Sequence, residues 1–335
     1  MGKAVNKATQ KLFSKFSLAK PKEIAKLVAP LVVMIIMMVL DGATADVYPE
    51  GYTQTTYPTF MRASIIVYLV IIVISVWFEY FRRHFCKWWG LIIFFYAASG
   101  IYNLCTVKSG IFTMPYMPSF DSIIAYLFTH WGRCMGNLYN SVTLYLQGIL
   151  IGGVLGFLWG SAMGYSKHAN YWLNPIIKII GPVPGVAWVT ISMTLAPSNH
   201  IAALIIIAST TWFPLSVNLA GGIRSVSRAS IERAQTLGAS NWYIIKHVVY
   251  PAAAPSVFTG LFMAFCFSLT SLVTAETMGV EGGLGWRMQW AQSYAAYDII
   301  YMLAIMFIIM AFVLITILFI VQRHCMSWSK EVVQW

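Results

Sequence analysis

Charge is what this chain has least of: only 10% of its 335 residues are Asp, Glu, Lys or Arg, against 59% that are hydrophobic. A soluble domain built from that mixture would expose large apolar patches, so the chain is expected to lie in a membrane. It has no G-x-x-x-x-G-K-[ST] phosphate loop, which excludes P-loop ATP hydrolysis within the chain itself. Its five cysteines (Cys86, Cys105, Cys134, Cys266 and Cys325) show neither C-x-x-C spacing nor an even count. Neither a zinc site nor a disulfide framework is therefore implied, and a bridge between Cys105 and Cys134 near the outer face is the one pairing left open. The histidines are scattered without H-E-x-x-H spacing, and no nucleophile constellation marks an enzyme. No paired carboxylates sit within the apolar runs; this weakens, without removing, the rival reading of an ion-coupled secondary transporter. The net charge of +11 comes from short segments between apolar runs and not from a separate polar domain, so it points to a membrane surface and not to nucleic acid.

What is present is a series of apolar runs. Ile24–Leu40, Ala63–Phe78, Trp88–Cys105, Ser141–Tyr165, a run over 173–196 broken at Gly181-Pro-Val-Pro184-Gly185, Ile201–Gly221, Ala252–Ala275 and Ile299–Val321 read as spans. The fold class expected is all-α, a polytopic transmembrane helix bundle of about eight spans. Residues 1–23 read as a basic amphipathic segment on the inner leaflet or a lysine-rich tail, and 326–335 as a basic tail. Ala43-Thr-Ala45 mimics a signal-peptidase site, though a leader reaching that far would be unusually long, and cleavage after Ala45 stays open beside retention of the span. Residues 106–140 read as a mixed stretch with an interfacial run at Ile123–Phe128, and the segment after Ala275 as a glycine-rich outer loop. Gly148, Gly152, Gly156, Gly160 and Gly164 recur every four residues, a stripe against which another helix, of this chain or of a second copy, can pack closely. With both ends in the cytoplasm, the loops place all of the 22 Lys and Arg inside except Arg62, Lys108, Arg133 and Arg287, as the positive-inside rule asks.

The stretch from Arg224 to Gly260 organises the rest. Ser227 or Ser230 is placed to cap a short helix on which Ile231, Ala234 and Leu237 recur at i+3, with Glu232 and Arg233 facing elsewhere. Gly238 offers a left-handed stop, and Ser240 caps a second helix carrying Trp242, Ile245 and Val249 on one side. Pro251 and Pro255 sit where the next span is expected to begin.

Glu232, Ala234, Gly238 and Pro251 follow the spacing E-x-A-x3-G-x12-P, which resembles the EAA loop of ABC importer permeases. Arg233 stands where that family usually has a second alanine. Further words extend the resemblance over roughly residues 113–328: Pro182-Val-Pro184-Gly-Val-Ala-Trp188, Trp212-Phe-Pro214 through Asn218 to Gly222-Ile-Arg-Ser225, Pro255 to Gly260, and Ala275-Glu276 with Gly283-Leu-Gly285. The resemblance is to the branch importing nitrate, taurine, aliphatic sulfonates or similar small solutes. It implies a permease core over 88–325 with two extra helices at 24–87, and a coupling loop at 224–250 seated on a separate ATPase subunit that binds ATP and Mg. It also implies a second permease copy, a solute-binding protein outside, the inner membrane as location, and no cofactor in the chain itself.

In that loop Ile231, Leu237 and Trp242 would supply apolar anchors and Glu232 and Arg233 a polar rim. Ser209, Thr210, Thr211, Asn218, Ser268, Thr270, Ser271 and Thr274 either line a path for a polar solute or bond helix to helix. Trp212, Asn218, Ser271, Thr274 and Glu276 are the candidates for pathway or gate. Glu276, at the outer end of its span, is expected to neutralise itself, pair with Arg287 or reach the interface, in a structural or gating role.

Overall fold

A computed structural model describes residues 21–47, 56–181, 183–277 and 279–326. The basic segment at 1–23 and the tail at 326–335 lie outside the described residues except at their inner edges. Among the described residues thirteen α-helices follow in order: α1 (Pro21–Ala43), α2 (Thr56–Trp77), α3 (Glu79–Asn103), α4 (Phe120–Thr129), α5 (Trp131–Tyr165), α6 (Lys167–Ile180), α7 (Gly185–Leu195), α8 (Asn199–Arg224), α9 (Arg228–Thr236), α10 (Asn241–Ile244), α11 (Tyr250–Thr277), α12 (Leu284–Ser293) and α13 (Tyr297–Cys325). Seven are long and apolar enough to cross a membrane, α10 and α11 counting as one continuous helix. The pair α6 and α7, which meet at 101°, would make an eighth span.

The chain divides into two compact units, residues 1–130 with 295–302, and residues 131–294 with 303–335. In the first, Met34, Tyr57, Met61 and Tyr68 form a buried cluster among α1 and α2, and the Tyr68 hydroxyl donates to the Leu27 carbonyl at 3.2 Å. At one end Arg82 meets Glu23 at 3.0 Å; at the other Lys108 meets Asp46 at 2.6 Å and Asp41 at 3.6 Å, while Asn103 donates to Asp41 at 2.8 Å. These contacts make α1 and α3 parallel, as two spans separated by a third must be. They also gather residues expected inside at one end and residues expected outside at the other. Helix α3 starts at Glu79, well before the expected Trp88, and runs unbroken past that border.

The second unit is built around α8. The glycine stripe of α5 packs on α8 of the same chain. An added Cβ would lie 3.0 Å from the Trp212 carbonyl at Gly156, 2.8 Å from the Ser216 carbonyl at Gly160 and 2.8 Å from Ile223 at Gly164. The other flank of α8 meets α11 in the same way, with a Cβ at Gly222 falling 2.6 Å from Ser256 and one at Gly260 falling 2.8 Å from Asn218. Between lipid-soluble helices such close approach supplies the packing energy that exclusion from water cannot. Ser216 adds a 3.3 Å bond to the Gly156 carbonyl. Gly156→Leu is accordingly expected to lower stability by about 1–3 kcal/mol through overpacking. The same change at Gly153, where an added Cβ meets nothing within 4 Å, should be nearly silent; equal melting temperatures for the two variants would sink this account.

Three boundaries differ from the sequence reading. Helix α5 begins ten residues earlier than Ser141, because Arg133, Asn137 and Asn140 interrupt hydropathy but not helix. The expected glycine-rich outer loop contains α12, on which Leu284, Met288 and Ala291 recur at i, i+4 and i+7. Pro251 and Pro255 do not open a helix: α10 passes into α11 through a π-helical turn at Ile245–Val249. That wider turn ends just before Pro251, where a regular α-turn would bring the ring against the carbonyl four residues back.

Candidate functional site

The hairpin between α8 and α11 is fixed by local chemistry. The Ser227 hydroxyl accepts from the Ser230 amide at 3.2 Å and so caps α9. At its other end Gly238 has φ +79°, its amide donates to the Gln235 carbonyl at 2.9 Å, and the Ala239 amide reaches the Ala234 carbonyl at 3.1 Å. That pair of bonds is a Schellman stop, which needs a residue tolerant of positive φ. Ser240 then caps α10 by accepting from the Tyr243 amide at 3.3 Å.

One side of the hairpin is anchored: Ile231, Ala234 and Ala239 pack on a cluster of Leu219, Ile223, Ile244, Val249 and Ala253. The other side is bare. Leu237 is 87% exposed and Trp242 71% exposed, with Glu232 and Arg233 exposed beside them. This corrects the expected faces. Leu237 does not share the inward side of Ile231 and Ala234, because α9 stops one residue before it and its backbone has left the helical register. Likewise Trp242 does not join Val249; the π turn makes Ile244 and Val249, five residues apart, the inward pair. Arg224, at the root of the hairpin, donates to the Met163 carbonyl at 2.8 Å and to the Asn170 side chain, tying α8 to the corner between α5 and α6.

Farther along α8 lies a cavity of about 530 Å³, lined by Ile180, Gly181, Val183, Pro184, Gly185, Trp188, Ser209, Thr210, Trp212, Phe213, Phe267, Thr270 and Ser271. Of the five pathway candidates, Trp212 and Ser271 face it, as do Ser209, Thr210 and Thr270 of the wider polar set. Asn218 does not: its side-chain amide donates to the Pro214 carbonyl at 2.8 Å. Thr274 and Glu276 also lie outside the lining. The break between α6 and α7 forms one wall, and at Gly181 an added Cβ would collide with the Phe213 ring. Broken helices are tolerated in membranes where they border such a space.

Glu276 is fully buried. The Ser141 hydroxyl donates to its Oε1 at 2.6 Å and the Gly285 amide to its Oε2 at 2.7 Å, while Ser141 also accepts from the Leu284 amide at 2.8 Å. An added Cβ at Gly283 would lie 2.5 Å from Oε1, so the Gly-Leu-Gly sequence there is what lets the carboxylate in. Arg287 is not its partner; that guanidinium lies 3.7 Å from the centroid of the Trp290 ring. Sequence reasoning missed Ser141, which lies 135 residues away and belongs to no recognisable motif.

Comparison with known proteins agrees with this architecture. A putative ABC transporter permease of Methanocaldococcus jannaschii is 29% identical over 170 residues, 50% of this chain and 64% of that protein. The taurine transport system permease protein TauC of Escherichia coli is 29% identical over 58% of this chain and 71% of its own length. The nitrate import permease protein NrtB of Synechococcus elongatus is 30% identical over 52% of this chain and 61% of its own length. In three dimensions, a crystal structure of an amino acid ABC transporter with histidines matches with a TM-score of 0.51 and 15% identity, over 60% of this chain and 97% of that one, and so shares the fold. The sequence profile of the inner membrane components of binding-protein-dependent transport systems matches residues 149–327, more than half of the chain, and the protein belongs to that family of multi-pass membrane permeases.

Proposed function

We propose that this chain is the permease subunit of an ATP-driven importer, working with a separate ATPase subunit, a second permease copy and an extracytoplasmic solute-binding protein. The observation that carries this reading is the hairpin: a rigidly capped polar turn that presents Leu237 and Trp242 to solvent while its back is anchored to α8 and α11. Two large apolar side chains beside exposed charge form the kind of surface a partner covers. With no phosphate loop in the chain, that partner is the source of ATP energy. The hairpin and both chain ends would then face the cytoplasm, in the inner membrane, with residues 88–325 as the permease core and 24–87 as an extension. The taurine and nitrate relatives support a small anion as the solute. Closure of the ATPase pair would push on residues 224–250 and bias the second unit between two conformations.

The test is co-purification from mild detergent followed by an ATPase assay. An ATPase subunit should accompany the wild-type chain and be lost with Gly238→Asp, whose Cβ would stand in open space but whose backbone would be strained at φ +79°, disturbing the turn that presents Leu237 and Trp242. A chain that purifies alone and moves solute into liposomes without ATP would overturn the proposal in favour of ion-coupled transport.

A further inference from the structure

We infer that the N-terminal turn of α7 and the hydroxyl of Ser271 form a subsite in the cavity that seats the oxyanion head of the transported solute. This rests on the permease reading above and adds where in the path the solute is recognised, and by what chemistry.

The residue before α7 is Pro184, which has no amide hydrogen, and no side chain caps the helix. The Ala187 amide turns back to the Pro184 carbonyl at 2.9 Å, so the amides of Gly185 and Val186 precede the helical ladder. Pro184 and Gly185 both line the cavity. The end of an 11-residue helix therefore opens into it, with the partial positive charge that such ends carry.

Ser271 supplies the independent observation. Its side chain is only 6% exposed, it lines the cavity, and among the described residues it has no hydrogen-bond partner. The other cavity hydroxyls are already committed as donors: Ser209 to the Ile206 carbonyl at 2.8 Å, Thr210 to the Ile207 carbonyl at 3.0 Å and Thr270 to the Cys266 carbonyl at 3.3 Å. Ser271 thus keeps a hydrogen to give. Its Oγ lies 2.7 Å from where a Cβ on Gly185 would stand, directly against the first residue of α7. A cavity-facing hydroxyl with its hydrogen uncommitted, beside the first-turn amides of α7, can give that hydrogen to an acceptor bound there.

The rest of the lining decides between ligand classes. It contains no carboxylate and no cationic side chain; it is aromatic and apolar apart from Ser271 and the three committed hydroxyls. A ligand meeting amide N–H groups and a free O–H must bring oxygen lone pairs, as a nitrate, carboxylate or sulfonate head does. Trp188, Trp212, Phe213 and Phe267 can take a planar face or a short alkyl body. The aromatic walls alone would suit a quaternary ammonium ion instead. That occupant leaves the Ser271 hydrogen and the α7 amides unused.

The experiment uses the purified full-length chain in detergent, titrated at constant ionic strength with sodium nitrate, sodium methanesulfonate or choline chloride. The rise in melting temperature with ligand concentration is followed. Nitrate or methanesulfonate should give a saturable rise and choline none. Ser271→Ala should weaken the anion about 10-fold, the loss expected for one hydrogen bond to a charged group. Gly185→Ala, which drives a methyl into Ser271, should weaken it comparably, so a folding defect in either variant alone leaves the test standing. Thr259→Ala, outside the cavity on α11, should leave the affinity unchanged. Overturning results are an absent anion effect, an anion affinity unchanged in both cavity variants, or saturation by choline. If the anion binds through Ser271 but no ATPase subunit co-purifies, the subsite stands and the importer reading falls.

Discussion

Trimming Trp242 to alanine is expected to weaken capture of the proposed ATPase subunit about 30-fold or more while leaving the chain folded and inserted. The indole is 71% exposed, so little packing is lost with it in the isolated chain, and exposed substitutions of this kind usually move stability by no more than about 0.5 kcal/mol. Against a partner the same side chain becomes an anchor, and a buried tryptophan at the centre of an interface is commonly worth about 2 kcal/mol or more, which is the stated factor. Leu237, still more exposed at 87%, should contribute a smaller share. Titrating the ATPase subunit against immobilised wild-type and variant chains measures this directly. Unchanged affinity, with both chains equally stable, would remove Trp242 from the interface.

The second large effect falls on stability. Glu276→Ala removes the acceptor for the Ser141 hydroxyl and the Gly285 amide, both buried, and leaves them without a partner. A buried donor left without an acceptor costs roughly 1–3 kcal/mol, so with two of them the variant should lose about 3 kcal/mol and release the start of α12. Glu276→Gln keeps one acceptor oxygen and should lose less. Accessibility of a cysteine introduced near Gly282 gives a local readout beside the melting temperature. A Glu276→Ala chain that melts like the wild type, with no change in labelling there, would mean that the carboxylate is not what holds this loop.

Much of this was legible from spacing. Membrane spans announce themselves because lipid demands long apolar helices, and the serine caps and the glycine stop of the hairpin are local chemistry that sequence states outright. The glycine stripe was readable as a close contact, but whether its partner was Ile207–Ile223 of the same chain or another copy is a long-range fact that periodicity does not carry. The faces of Trp242 and Leu237 were misassigned for a different reason. A 3.6-residue period was assumed through a stretch where α9 had ended and a π turn had begun, and each shift rotates every following side chain. Among the pathway candidates, Trp212 and Ser271 reached the cavity, whereas Asn218 and Glu276 were polar because they bond to the protein itself. Polarity inside a span marks a residue that needs a partner; it does not say whether the partner is solute or helix.

The seam between α5 and α8 also has a mechanical meaning. At Gly156 and Gly160 the carbonyls of Trp212 and Ser216 and the side chains of Leu215 and Leu219 press directly on α5, and α11 is as close on the opposite flank at Gly222 and Gly260, which leaves little slack to absorb a displacement. The three helices are therefore a stiff lever. Its handle is the hairpin at Arg224, and Trp212 and Ser209 sit on the same rod about 20 Å away at helical rise. A push delivered at the hairpin would arrive at the cavity wall as a movement of the whole rod, with no need for a relay of side chains between them.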